Sequence, residues 1–341
     1  MKNIFITGIN GFIGSHLVPL LLAKGYSVKG LVLPNETLSP SLANAPVEII
    51  RGNLSQPETF LNALNGIDTV IHLAARVTDW GKRKLFYESI YVATENLLKA
   101  AQTAQVKHFV HASSIAACGM GKHLQYPDEN TPTQPLGIPY NDYKHESEIL
   151  VKKYSEHTHA AMKYTIFRPC NVIGAGSPWV KNAIENLNSI IGLPFIDGGK
   201  YDAALIDVNN LVEGITRIVD TEKAYQQIYF FMDDWEATWQ NFFGDLGAMI
   251  GKKPKGNLSF ETAFALAKWV EPIFNQFNIR PPLSRLGLAL VGRDIRANTQ
   301  KARTELGWSS QVSYATSMQR IAESLGIKNF SPSVPKKQNN S

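Results

Sequence analysis

The chain has 341 residues, of which 44% are hydrophobic and 18% charged, and a formal net charge of +5. This composition supports a sizeable core, excludes global disorder, and suits one catalytic unit with two lobes. Lysines and arginines are scattered rather than gathered into a nucleic-acid-binding stripe, and the two cysteines, Cys118 and Cys170, form no CxxC pair.

In chain order, residues 4–7 read as a first strand, with no basic, cleavable leader before it. A glycine loop and a helix to Lys24 follow, with Gly25 as the stop signal. Residues 27–33, 47–50, 69–73, 109–112 and 164–167 read as further strands, with helical stretches at 85–104 and after Pro139. Strands alternating with helices predict an α/β fold, a Rossmann-type doubly wound parallel sheet. Beyond Pro169 the pattern loosens, and residues 207–219 read as a helix returning to the sheet. We expect a dinucleotide-binding domain from residues 1–170 and 203–234, a smaller substrate lobe from 171–202 and 235–328, and a disordered tail at 329–341. The nearest approach to an apolar span, residues 263–277, is broken by Lys268, Glu271, Pro272 and Asn275, which argues against a span and leaves peripheral membrane contact through this stretch the less favoured reading. A reducing cytoplasm fits the cysteine usage.

The loop Thr7-Gly8-Ile9-Asn10-Gly11-Phe12-Ile13-Gly14 joins a strand to a helix. Glycines there allow a tight turn and close approach to a pyrophosphate, and the helix N-terminus offers free N–H groups. The second strand ends Val32-Leu33-Pro34-Asn35-Glu36, with neither the acid that reads an NAD ribose nor the base that favours NADP at its tip. Glu36 is displaced and reads as a solvated loop residue, so NAD and NADP both stay open.

Pro139-Tyr140-Asn141-Asp142-Tyr143-Lys144 opens a helix, and residues four apart share a face, so Tyr140 and Lys144 project together. A lysine ammonium and an oxidised nicotinamide nearby together favour phenolate, so this pairing predicts a tyrosine that, beside the bound dinucleotide, is lowered toward neutrality and exchanges a proton. Tyr143 reads as packing. Ser113-Ser114 ends a central strand at the carboxyl edge, where open parallel sheets bind ligands. The loops after strands four, five and six supply candidate substrate contacts at Thr78, Trp80, Cys118, Met120, Asn171, Pro178 and Trp179. Trp239, Phe242, Phe264, Trp269, Phe274 and Phe277 suggest an apolar lid, although core packing is the simpler reading of any single one. His72, His108 and His111 read as structural, and no spacing suggests a metal site.

With its Thr-Gly and Gly-x-x-Gly-x-x-Gly spacing, the chain resembles the extended short-chain dehydrogenase/reductase superfamily. It is similar to bacterial 3β-hydroxysteroid dehydrogenase-like and NAD-dependent epimerase/dehydratase proteins. Further segments carry the resemblance: His72-Leu73-Ala74-Ala75-Arg76-Val77-Thr78-Asp79-Trp80-Gly81, Arg168-Pro169-Cys170-Asn171-Val172-Ile173-Gly174, Gly192-Leu193-Pro194 and Glu305-Leu306-Gly307-Trp308. It implies a catalytic Ser114 with Ser113 as fallback, beside Tyr140 and Lys144. It also implies cofactor contacts at Gly8, Asn10, Gly11, Phe12, Ile13, Gly14, Asn53, Leu54, Leu73, Ala74, Ala75, Tyr140, Lys144, Pro169, Asn171 and Val172. The implied activity is NAD(P)-dependent interconversion of a secondary alcohol and a ketone on a small-molecule substrate, by a protein that forms a homodimer. Ile90 stands where the family often has a polar residue supporting the active-site region, which bears on the proton relay or the local helix geometry. Two alternatives stand beside the oxidoreductase: a nucleotide-sugar epimerase or dehydratase, drawing on Arg280, Arg285, Arg293 and Arg296, and a non-catalytic NAD(P)-sensing protein.

Overall fold

A computed structural model describes residues 2–156, 162–190 and 192–333. Alternation within the first strand sets the layering: Ile4 and Ile6 turn to one face and Phe5 to the other, and all three are buried. The strands are β1 (Asn3–Thr7), β2 (Ser27–Val32), β3 (Glu48–Arg51), β4 (Thr69–His72), β5 (His108–Ala112), β6 (Lys163–Pro169), β7 (Asn171–Ile173), β8 (Phe195–Ile196), β9 (Leu205–Asp207), β10 (Gln227–Phe231) and β11 (Asn257–Leu258). Seven of them form one parallel sheet in the order β10-β6-β5-β4-β1-β2-β3. Every residue of β4 and β5 is buried, as a parallel strand covered on both faces requires. The chain runs outward from β1 to β3 and then restarts at β4 in the opposite direction. The switch point, and hence the crevice, lies between β1 and β4. The edge strand β10, with its aromatic run Tyr229-Phe230-Phe231, has no counterpart among the predicted strands.

The helices are α1 (Phe12–Ala23), α2 (Pro40–Ala43), α3 (Arg83–Phe86), α4 (Ala93–Thr103), α5 (Pro139–Glu156), α6 (Pro178–Asn188), α7 (Val208–Asp220), α8 (Trp239–Met249), α9 (Phe260–Gln276), α10 (Arg285–Val291), α11 (Gln300–Leu306) and α12 (Tyr314–Ser324). α1 and α7 cover one face of the sheet, and α4 and α5 the other. α1 stops as Gly25 predicts. Gly25 takes φ +79, its N–H donates to Leu22 O, and Tyr26 N–H reaches back to Leu21 O, which satisfies the last carbonyls. A separate core joins α6, α8 and α12 through Val180, Leu187, Phe242, Leu246, Met318 and Ile321.

Three expectations need correction. The helix foreseen at 85–104 is continuous but not α throughout: Tyr87–Val92 forms a π-helical turn between α3 and α4. Residues 300–308, assigned to the substrate lobe, pack on the main sheet instead. Trp308 meets the Phe231 ring edge-on and donates its indole N–H to Asn210 O, so a distant aromatic completes the core beside β10. Of the expected tail, Phe330 packs against the α6–α8–α12 core and Ser333 N–H donates to Asp245, while 334–341 lie outside the described residues. Among the described residues, no helix is long and apolar enough to cross a membrane.

Candidate active site

The glycine loop is shaped by contacts that no side chain tolerates. Gly8 holds φ +69, and a Cβ there would sit 2.9 Å from Ala74 N on β4's loop. A Cβ on Gly14 would sit 2.4 Å from Gly8 O and 2.5 Å from Ile9 O. At Gly11 only Gly8 O is near, and the remaining space opens on the crevice. Gly11 caps α1 without a side chain, and the first turn holds no acid, so free N–H groups and the positive helix end face that space. This donor set and this missing Cβ fit a dinucleotide pyrophosphate. Gly14→Ala should therefore destabilise the protein by about 1–3 kcal/mol through overpacking and weaken dinucleotide binding. Urea unfolding and a fluorescence titration with NADH and NADPH measure the two effects.

Asn10 does not face the crevice. Its amide donates to Glu36 Oε1 at 2.8 Å and to Thr37 O, and its oxygen accepts from Ser39 N–H. Glu36 is thus no freely solvated residue: it also accepts from Leu33 N–H at 3.0 Å and ties the end of β2 to the glycine loop. Asn53 caps its own turn through Ser55 N–H, and Leu54 is buried against the α4 side of the sheet. Neither lines the crevice.

At the end of β5 the two serines separate. Ser113 donates to Glu148 Oε1 at 2.5 Å, and Glu148 in turn receives Arg168 through Nε at 2.9 Å and Nη2 at 2.7 Å. Ser113 is therefore occupied in a buried network joining β5, α5 and β6. Ser114 accepts from Ala116 N–H at 3.1 Å and hydrogen-bonds the Tyr140 phenol, and it lines the crevice with Tyr140 and Lys144. Asp142, in the first turn of α5, accepts from Leu136 and Gly137 N–H and pairs with Arg83 at 2.8 Å, which fixes how the helix begins. Tyr143 packs among Phe86 and Ile90 under the Arg83 guanidinium.

Burial governs the electrostatics of both Tyr140 and Lys144. Burial pushes the Tyr140 phenol up to about 12, against the opposing influence of Ser114. Burial also pulls Lys144 down to about 8, with Glu148 resisting. The ammonium donates to Ala112 O at 2.6 Å. Burial disfavours the charged form of each group, so the phenol is protonated near neutrality until a further cation, such as an oxidised nicotinamide, stands beside it.

A buried relay braces the β4 side. Ala74 N–H approaches Thr7 Oγ1 at 3.3 Å, Thr7 donates to His72 Nδ1 at 2.7 Å, His72 Nε2–H reaches Thr94 at 3.0 Å, and Thr94 donates to Ile90 O at 2.5 Å. These directions set the His72 tautomer. Burial holds its imidazole down to about 3, hence neutral. Ile90 itself packs against Tyr140 and Tyr143 from the π turn: its backbone, not a polar side chain, enters the network. His108 and His111 are likewise buried and bonded to Thr165 and Ser147. Among the described residues, no group of three or more His, Cys, Asp and Glu is arranged to hold a metal ion.

The crevice encloses about 390 Å³. It is lined by Gly8, Gly11, Phe12, Ile13, Gly14, Leu73, Ala74, Ala75, Thr78, Ser114, Tyr140, Lys144, Pro169, Asn171, Val172, Pro178 and Trp179, among others. A second cavity of about 490 Å³ adjoins it, sharing Asp79, Asn171, Trp179 and Asn182. Its walls include Trp239, Phe242, Phe243, Phe274, Leu283 and Leu288. Cys118 and Met120 lie in the core instead, because a 3-10 turn after Ser114 rotates them inward. Cys170 takes the cavity position. Both thiols are free and buried. Trp80 lines neither cavity; its carbonyl accepts from Thr78 Oγ1. Sequence reasoning also missed Leu286 and Leu290, which reach the crevice from α10. No local signal marks them, since only packing brings α10 to β5.

The sequence profile of the NAD dependent epimerase/dehydratase family matches residues 4–229, which include the glycine loop, Ser114, Tyr140, Lys144 and Asn171. The chain belongs to the NAD-dependent epimerase/dehydratase family. Like others of that family it is an NAD(P)-dependent enzyme, an oxidoreductase of the extended short-chain type. It is 28% identical to a 4-hydroxy-2-methyl-3-oxo-4-farnesyl-3,4-dihydroquinoline-1-oxide ketoreductase of Stigmatella aurantiaca, over 94% of this chain and 95% of that protein. It is 28% identical to the decarboxylating sterol-4-alpha-carboxylate 3-dehydrogenase of Dictyostelium discoideum, over 94% and 100%. A UDP-glucose 4-epimerase of Thermus thermophilus solved with NAD shares the family fold. Its TM-score is 0.73 at 21% identity, over 95% of this chain and 99% of that one.

Proposed function

We propose that this family member interconverts a secondary alcohol and a ketone on an apolar substrate of sterol-like or β-keto type. The observation that carries the reading is the continuity of the Ser114–Tyr140–Lys144 crevice with a second cavity walled by tryptophan, phenylalanine and leucine. Pockets of that lining gain affinity from apolar contact and orient their ligand with a few polar groups. The Stigmatella relative is named for a farnesyl-bearing ketone and the Dictyostelium relative for a sterol, which supports the same class.

In reduction, Ser114 Oγ–H donates to the carbonyl oxygen and Tyr140 gives that oxygen its proton. The bound nicotinamide supplies a hydride to the carbonyl carbon. Lys144, held on Ala112 O, presents its charge to the phenol and would hold the nicotinamide ribose. In oxidation the proton returns to Tyr140. The N–H groups of α1 would hold the pyrophosphate, with Leu73, Ala74 and Ala75 along its side. The substrate contacts in this reading are Thr78, Asn171 and Trp179. Association through the large-lobe helices into a homodimer, supported by the exposed Tyr87 and Ile149, and a cytoplasmic location complete it.

The nucleotide-sugar alternative needs arginines free to meet a diphosphate. Arg285 pairs with Glu271, Arg293 with Glu261 and Arg296 with Asp202, and Arg280 alone of the four lines the second cavity. Cofactor fluorescence during a screen of apolar ketones against UDP-sugars tests the choice. Net oxidation of NADH or NADPH with a ketone is expected. An isomerised sugar nucleotide with no net redox change would reject the reading.

A further inference from the structure

We propose that the outward face of α9 docks the enzyme on an anionic lipid surface, beside the mouth of the second cavity. The inward face of this helix, Phe260, Ala263, Ala267 and the partly buried Phe264, packs against α10. Its other face carries large apolar side chains that none of the described elements covers: Leu266 is 51% exposed, Trp269 78% and Ile273 57%, followed just past the helix by Phe277 at 68% and Ile279 at 55%. Positions 266, 269, 273 and 277 repeat every three or four residues, so they form one stripe. Single exposed apolar residues need no explanation, but a contiguous row of large ones marks an interaction surface.

The position of the stripe and its charge name the occupant. Phe274 and Arg280, in the same stretch, line the second cavity. Ser189 and Gly192 line it too, and between them Ile190 is 98% exposed. Apolar side chains therefore stand on two sides of the cavity, where an apolar ligand would leave a bilayer. Between residues 262 and 283 the only acid is Glu271, and it is turned inward onto Arg285 at 3.1 Å. Lys268 is exposed beside Trp269. Lys82 is exposed next to Gly81, whose N–H donates to Asn275 Oδ1 at 2.9 Å. Glu261, in the first turn of α9, is exposed but paired with Arg293 at 2.8 Å, and beyond it the helix offers an aromatic anchor and Lys268 with no outward acid, which suits the interface of anionic phospholipid. On sequence, Lys268, Glu271, Pro272 and Asn275 disfavour membrane contact through this stretch, and Trp269 and Phe277 read as lid or core aromatics; the structure turns both aromatics to solvent.

The test is co-sedimentation of the full chain with vesicles of phosphatidylcholine and phosphatidylglycerol, with tryptophan quenching by brominated lipid as a second readout. Wild type should bind, more weakly in pure phosphatidylcholine. Trp269→Ser/Phe277→Ser should lower the partition coefficient by roughly 10²-fold, about tenfold per large side chain lost from the interface. Neither residue lines a cavity, so dinucleotide binding and the circular dichroism spectrum of the variant should match wild type. Wild type left in the supernatant at low ionic strength, or equal binding by the variant, would overturn the proposal. So would a wild-type dimer that the same substitutions split without any lipid binding, which assigns the face to a second copy of the chain. No substrate is present, so the outcome is independent of the ketone screen.

Discussion

Tyr140→Phe should lower reductive turnover by roughly 10²- to 10⁴-fold, the usual range for a positioned general acid, while NADH and NADPH affinities stay close to wild type. The ring keeps its packing on Ile90, so only the proton is removed. The pH profile should identify the group that assists it. At about 12 the phenol is a neutral acid throughout the working range and can donate directly. Lys144, at about 8, is charged below that pH and neutral above it. Its ammonium makes the phenol a stronger acid, so reduction should hold at lower pH and fall as pH rises through about 8. Oxidation needs phenolate and should rise with pH. Steady-state rates in both directions, with the ketone found by the screen, measure this. Undiminished turnover by Tyr140→Phe would remove the residue from the mechanism.

Glu148→Ala should cost about 3–5 kcal/mol of stability, because it leaves a buried guanidinium without its counter-charge. Arg168 is 1% exposed in its side chain and Glu148 is 0% exposed, and Nη1 of the arginine already lacks a partner. Replacing both by methionine should recover most of the loss, since two apolar groups of similar length demand no pairing. The midpoint of urea unfolding distinguishes the single from the double variant. Equal midpoints for Glu148→Ala and wild type would mean that water reaches this pair. The single variant should also lose turnover beyond its loss of stability at temperatures where it is folded. Glu148 lies one turn beyond Lys144 and joins α5 to β5 through Ser113, so the helix that carries Tyr140 and Lys144 loses one of its ties to the sheet and keeps those from Lys144 to Ala112 and from Ser147 to His111.

Some of this protein is settled by neighbours along the chain. The glycine spacing before α1, the stop at Gly25 and the common face of Tyr140 and Lys144 depend on backbone geometry over a few residues, and each can be read without knowing the fold. The strand–helix alternation likewise yields a parallel sheet, because apolar runs bounded by turns have few other uses. The choice between Ser113 and Ser114 is different in kind. Both end β5, and only Glu148 with Arg168, brought together from α5 and β6, removes the first from service. The same holds for Cys170 replacing Cys118 at the cavity, for Glu36 fastened to Asn10, and for the π turn that seats Ile90 against Tyr140. It holds also for the aromatics of the second half, where Trp239 and Phe242 turn into a cavity and Trp269 and Phe277 turn to solvent. Which atoms a side chain meets, and whether water reaches it, depends on segments far away in sequence, and desolvation is a property of the assembled core. The sequence by itself therefore determined which chemical groups this enzyme possesses and their local spacing. The tertiary structure decided which of those groups keep a free proton, a free face or a charge.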